Sequence, residues 1–197
     1  MGMKRFRNNQ SGRSMIEILG VLAIIGILSV VGISGYSKAM NQIDTQNLLQ
    51  DISLSVQRIQ MLYAGQNSYK GINKNIGNLE LLVNTKRSLG GDKKYMHRLN
   101  GEVILKSIAR GKGFALIYNG LNRATCAKIA SIDWGNEGNG LRYLVVSPTG
   151  ILPPRGFPSN LDEGEYKAED LPLSISDTVK YCECDPFYKC GVGFFYE

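Results

Sequence analysis

The sequence predicts an α+β fold: one long N-terminal helix, its first half membrane-spanning and its second half amphipathic, packed against a small antiparallel sheet head. Three observations lead there. Residues 15–33 are apolar or small throughout apart from Glu17. From Tyr36 to Tyr63, apolar side chains recur at threes and fours, as on one stripe of a helix. Beyond residue 100 the period shortens to strand-like runs separated by turn residues, and strands following a long helix argue an α+β head.

The first apolar stretch makes roughly 28 Å of helix at about 1.5 Å per residue, enough to cross a hydrocarbon core of about 30 Å. A carboxylate near the start of such a span costs several kcal/mol unless it is paired or held at the interface, so Glu17 asks for a cationic partner. The stripe that follows runs Tyr36, Met40, Ile43, Leu48, Ile52, Val56, Ile59 and Tyr63. The opposite face carries Gln42, Asp44, Gln46, Gln50, Asp51, Gln57, Arg58 and Gln60, which suits solvent or neighbouring subunits. No proline falls between Ser14 and Ala64, so one continuous helix is expected, with local loosening at Gly32 and Gly35, each about 1 kcal/mol worse than alanine.

Residues 65–100 are rich in Gly, Asn and Lys and read as a long connection holding one short helix, Asn78 to Thr85, with Asn78 as N-cap. Glu102 to Ile108 and Gly113 to Asn119 form a hairpin about Arg110, Gly111 and Lys112. A short helix over NRATCAKIAS places Ala124, Ala127 and Ile129 or Ala130 on one side, with Cys126 inside it. Leu141 to Ser147 is a strand ended by Pro148. Residues 150–177, with prolines at 153, 154, 158 and 172, read as loop, and Thr178 to Cys182 and Gly191 to Tyr196 as closing strands.

The formal net charge of +6 on 197 residues is weighted toward the N-terminus. Residues 1–12 hold Lys4, Arg5 and Arg7 and no acid, so without them the charge is 6 − 3 = +3, which does not call for nucleic acid. The basic leader instead reads as the positive-inside signal that keeps the N-terminus cytoplasmic and sends the remainder outward. A secretory signal peptide shares the basic start, but its apolar region is about 7 to 15 residues long with no acid, and Ser34, Gly35 and Tyr36 make a poor cleavage site. A plain single-span anchor explains the length but not the placement of glycine and acid.

That placement carries a family resemblance. Gly12, then Arg13, Ser14, Met15, Ile16 and Glu17, then LGVLAIIGIL, resembles the type IV prepilin signal shared by pilus subunits and the pseudopilins of type II secretion. The resemblance implies that a membrane peptidase cuts after Gly12 and that the new amino group on Arg13 is methylated. It divides the chain into a cleaved leader (1–12), a transmembrane and assembly helix (13–35), the amphipathic half of that helix (36–64) and a disulfide-bearing head (65–197). Two positions depart from the pattern: Arg13 stands where the family has phenylalanine or another apolar residue, and Ser34 where it often has proline. GFALIYNG, LNRATCAKIAS and the glycine-rich aromatic terminus look like the larger, type IVb class of pilins, while the twelve-residue leader is typical of neither class and leaves the subclass open.

Cys126, Cys182, Cys184 and Cys190 all fall in the exported part, where an even number reads as disulfides with three pairings open. In the resembling pilins a bridge ties the helix cysteine to the C-terminal segment, which gives Cys126 one of the last three as partner. Cys126 with Cys182 and Cys184 with Cys190 is the pairing favoured. The alternative is a zinc site from C-x-C-x5-C with Cys126 or His97 as fourth ligand, but zinc prefers wider spacing and a reducing compartment.

No enzymatic chemistry is legible, and no cofactor, metal or small-molecule substrate is expected. His97 reads as a solvated loop histidine with no triad pattern around it, and GKGFALIYNG lacks the order of a phosphate loop. The expected function is that of a pilus subunit, single-pass in the inner membrane with an external head, then part of a filament. Its partners are other pilin subunits, the prepilin peptidase and the inner-membrane assembly machinery. Glu17 sets register by pairing with the α-amino group of Arg13 on the adjacent subunit, although Arg13 could take Glu17 within one chain at i, i+4. The alternatives are a minor pilin or pseudopilin and, from another class, an anchored exported domain that binds a ligand or DNA without forming a filament; nothing in the sequence supports DNA.

Overall fold

The computed structural model describes residues 15–75, 80–87, 94–135, 139–150, 152, 162–187 and 189–197. It divides into two compact units, Met1–Ile43 and Asp44–Glu197. Helix α1, Met15–Tyr63, supplies the described part of the first unit and begins the second. It runs without interruption through Gly32 and Gly35, and the loosening expected there does not occur.

The second unit is a seven-stranded antiparallel sheet with the later part of α1 packed on one face. The strands are β1 (Lys86–Arg87), β2 (Tyr95–Met96), β3 (Glu102–Ile108), β4 (Gly113–Leu121), β5 (Leu141–Ser147), β6 (Glu165–Lys167) and β7 (Cys190–Tyr196), in spatial order β1-β2-β3-β4-β7-β5-β6. The β3–β4 hairpin pairs Val103 with Tyr118 and Ile108 with Gly113. A 3-10 turn, Ala109–Gly111, joins the two strands, and its Arg110 takes a left-handed φ of 60°. The C-terminal strand inserts between β4 and β5, antiparallel to both, so every residue of β7 is buried. Gly191 to Tyr196 is thus a central strand of the sheet and not only a closing one.

Leu48, Ile52, Val56, Ile59 and Tyr63 meet Phe114, Leu116, Tyr118, Leu144, Val146, Phe194 and Tyr196 in the main core. Full burial of one such aliphatic side chain contributes about 1.5 to 3 kcal/mol, so this stripe is what holds helix to sheet. The stripe buries only from Leu48 onward, since Tyr36, Met40 and Ile43 are exposed. On the other face of the sheet Ile108, Ala115, Ile117, Val145, Leu152 and Phe195 form a smaller cluster.

Four sequence expectations are corrected. Asn78 to Thr85 is not a helix over its described part: Glu80 and Asn84 have φ of 45° and 51°, and Leu81, Leu82 and Val83 are buried in succession, which one face of a helix cannot achieve. The short helix of this region is instead α2, Ile72–Asn75. Thr178 to Cys182 is not a strand but lies in and just after α4, Ile175–Tyr181, because Ser174 caps it, accepting from the Asp177 amide at 3.1 Å and donating to the Asp177 carboxylate at 2.8 Å. Residues 162–177 also hold β6 and a 3-10 turn, Ala168–Asp170, where loop was expected. Helix α3, Arg123–Ala130, lies where expected, with the Asn122 side chain accepting from the Thr125 amide at 2.9 Å. It buries Thr125, Cys126, Ile129 and Ala130, however, and leaves Ala124 exposed.

Candidate functional site

The chemistry of the first unit is its surface. Every residue from Met15 to Ile43 is exposed, including large side chains such as Ile16 at 76% and Val30 at 70%. Among the described residues α1 is the one helix long and apolar enough to cross a membrane. A contiguous apolar surface of this size is far beyond what an isolated water-soluble chain exposes, so lipid or other helices must cover it. Glu17 lies in the first turn of α1 and is the only charged side chain from Met15 to Ser37. The partial positive charge of the helix N-terminus favours a carboxylate at that place. Gly12 and Arg13 lie outside the described residues.

In the second unit, a polar group inside the helix–sheet contact decides how the connection after α2 is held. Asp51 is 5% exposed and accepts from Arg98 Nε at 3.0 Å and from Asn84 Nδ2 at 2.7 Å. Arg98 also lies 3.9 Å from Asp44. One turn on, Ser55 is fully buried and its Oγ accepts from the Val83 amide at 2.9 Å. The sequence reading placed Asp51 on the solvent face and missed Ser55. Their spacing of four residues on α1, beside the apolar stripe, was the available signal.

His97 is 4% exposed, which corrects its reading as a solvated loop residue. Its Nδ1 accepts from the Leu99 amide at 3.2 Å, so Nε2 carries the proton and donates to the Asn119 carbonyl at 2.9 Å. Burial lowers its pKa below 6.5, with the bond to Asn119 opposing and the charge of Lys189 adding to the decrease. The neutral ring therefore ties the turn between β2 and β3 to the end of β4.

Disulfides join Cys126 to Cys182 and Cys184 to Cys190, the combination favoured among the three that the sequence left open. The first fastens α3 to the end of α4 and the second closes a small loop leading into β7. With all four sulfurs bonded to sulfur, none is a thiolate, so C-x-C-x5-C offers no zinc ligands here. Among the described residues no group of three or more His, Cys, Asp or Glu is placed to hold a metal ion.

The chain thus combines an apolar helix that must be covered with a disulfide-tied α+β head. The chain is similar to the major structural subunit of the bundle-forming pilus from Escherichia coli O111:H-, at 25% identity over 178 residues, which cover 87% of this chain and 88% of the relative. Its counterpart from Escherichia coli O127:H6 (strain E2348/69 / EPEC) matches at the same identity and coverage. A crystal structure of TcpA, a type IV pilin from Vibrio cholerae El Tor biotype, aligns with 78% of this chain and 99% of its own, at 15% identity and a TM-score of 0.45. No protein-family model matches. The similarity to these two pilus subunits extends over most of the chain.

Proposed function

We infer that this chain is a structural subunit of a type IV pilus, and that it acts by assembly and not by catalysis. The observation that carries the reading is the fully exposed apolar stretch of α1, in a chain similar over 87% of its length to major pilus subunits. Before assembly, the stretch holds the subunit in the inner membrane with its head outside, after the leader of residues 1–12 has been removed by a prepilin peptidase and Arg13 methylated. On assembly, the helices of other subunits replace lipid around it. Glu17 sets the register: its carboxylate pairs with the α-amino group of a neighbour's Arg13, and in an apolar surrounding a paired acid is strongly favoured over an unpaired one.

Glu17→Val separates this reading from a plain membrane anchor. If the acid only happens to lie at the membrane edge, the substitution removes a several-kcal/mol liability and changes nothing else. If it sets register, membrane level and processing stay normal while the yield of sheared filaments collapses. Intact-mass analysis of the same membranes should give a chain that begins at Arg13 with one extra methyl group. Normal filament yield from the Glu17→Val strain would refute the register role, and an uncut leader would refute the processing. The share of this chain in purified filaments decides between a shaft subunit, which dominates them, and a minor pilin or pseudopilin.

A further inference from the structure

Between α1, the irregular stretch 80–85 and the β1–β2 pair lies an open cleft of about 460 Å³. That volume falls within the roughly 300 to 1,000 Å³ of small-molecule sites. Its walls combine two arginines, Arg58 from α1 and Arg87 from β1, with the hydroxyl-bearing side chains of Thr85 and Tyr95. Leu82 and Val83 also line it, and both are buried. Arg87 and Tyr95 stand directly opposite each other in the antiparallel β1–β2 pair, so their side chains leave the sheet on the same face.

Neither arginine is neutralised within the head. Nearby Lys94 pairs with Glu102 at 3.7 Å and Arg98 with Asp51 at 3.0 Å. Arg58 and Arg87, by contrast, have no carboxylate within ion-pair distance among the described residues. Arg58 Nη1 donates instead to the Glu80 carbonyl at 3.0 Å. A neutral carbonyl takes one N–H and anchors the side chain, leaving its charge and its other N–H groups uncommitted. The Thr85 and Tyr95 hydroxyls likewise have no hydrogen-bond partner among the described residues. Glu80 is the one acid among the lining residues; it is exposed, and the two arginines outnumber it.

We propose that this cleft binds a small phosphomonoester, its phosphate group held by Arg58 and Arg87 and its organic part set against Leu82 and Val83. The preference for phosphate follows from the donors. Two guanidinium forks and two hydroxyls offer more N–H and O–H groups than the two oxygens of a carboxylate can use. A phosphomonoester presents three strong acceptor oxygens and a charge of about −1.5 to −2 at pH 7. The preference for an ester over the bare ion follows from the apolar residues and from a volume larger than one phosphate fills. Bound there, the phosphate bridges α1 to the outer strand β1, and a ligand that binds only the folded head stabilises it. All the lining residues belong to one head, so the site needs no second copy and stands independently of the pilin reading.

Titration calorimetry of the detergent-solubilised full chain with glycerol 3-phosphate tests this, with glycerol and inorganic phosphate run in parallel. Glycerol 3-phosphate should bind, glycerol should not, and inorganic phosphate should bind several-fold more weakly. Arg87→Gln should weaken the ester roughly tenfold, because a charge-assisted bond to phosphate is lost. Arg58→Lys keeps the charge and a donor for the Glu80 carbonyl but loses the fork, and should weaken binding less. Glu80→Gln removes the opposing charge, leaves the carbonyl in place, and should tighten binding. If Arg58→Lys loosens the head, seen as a lower urea midpoint, Arg87→Gln decides alone, since the Arg87 side chain has no partner among the described residues. No binding of glycerol 3-phosphate, or an affinity that Arg87→Gln and Glu80→Gln both leave unchanged, would overturn the site. Equal affinity for inorganic phosphate would overturn the ester. Filament yield enters none of these measurements, so their failure leaves the pilin reading intact.

Discussion

His97 is held by two hydrogen bonds, of which the one accepted at Nδ1 requires the neutral ring, and this makes it the clearest pH-sensitive residue of the head. Protonating Nδ1 would aim a second N–H at the Leu99 amide that now donates to it. Since the folded pKa lies below the ordinary 6.5, the unfolded chain binds the proton first as pH falls. The stability from the neutral ring is complete above about 6.5 and is lost as pH drops from there through the folded-state value. Urea unfolding of the detergent-solubilised chain should therefore show a falling midpoint over that window, and His97→Gln should flatten the fall while lowering the midpoint at neutral pH. Gly101 belongs to the same cluster: a Cβ there would overlap the Asn119 carbonyl and the His97 ring, neither of which can retreat from the other. Gly101→Ala is expected to cost about 3 kcal/mol by overpacking, and an unshifted melting temperature would show that the turn can move aside.

At the scale of elements, α1 is fastened to the irregular stretch 80–87 by polar groups as well as by its stripe. Leu81, Leu82 and Val83 enter the core without regular secondary structure, so their backbone needs partners from outside. Ser55 takes the Val83 amide, and Asp51 takes both Asn84 and Arg98. Asp51→Ala removes the carboxylate and leaves a half-buried guanidinium with only the longer contact to Asp44, which should cost roughly 3 kcal/mol. Hydrogen exchange should speed up most at the Val83 amide and its neighbours; uniform exchange across the head would mean that the stretch is held by its apolar side chains alone.

For the whole molecule, the two disulfides constrain very different lengths of chain. Cys126 and Cys182 are 56 residues apart, whereas Cys184 and Cys190 are 6 apart. In the chain-entropy model the long loop contributes about 4 kcal/mol and the short one roughly half of that. Replacing Cys126 and Cys182 together by serine should thus shift the unfolding midpoint about twice as far as replacing Cys184 and Cys190. Equal shifts would point to a role for the short bridge in placing β7, which enters the centre of the sheet directly after it.

What the sequence by itself determined is what depends on near neighbours along the chain. The apolar stretch with its one acid, the stripe from Leu48 to Tyr63, the β3–β4 hairpin, α3 and β5 all follow from periodicity, turn residues and caps, which act within a few residues. The pairing of the cysteines as disulfides was expected from their even number. Tertiary structure decided the rest, because burial is set by distant partners. Asp51 lies on the polar side of a helical wheel and is buried only because Arg98 and Asn84 reach it. His97 is in a lysine- and arginine-rich segment and is buried only because Gly101 lets the Asn119 carbonyl approach. The segment ISDTVKY carries branched residues suited to a strand, and it becomes a helix because Ser174 caps it and Cys126 binds the cysteine at its end. The place of β7, the last strand in the chain, between β4 and β5 is likewise decided by long-range pairing.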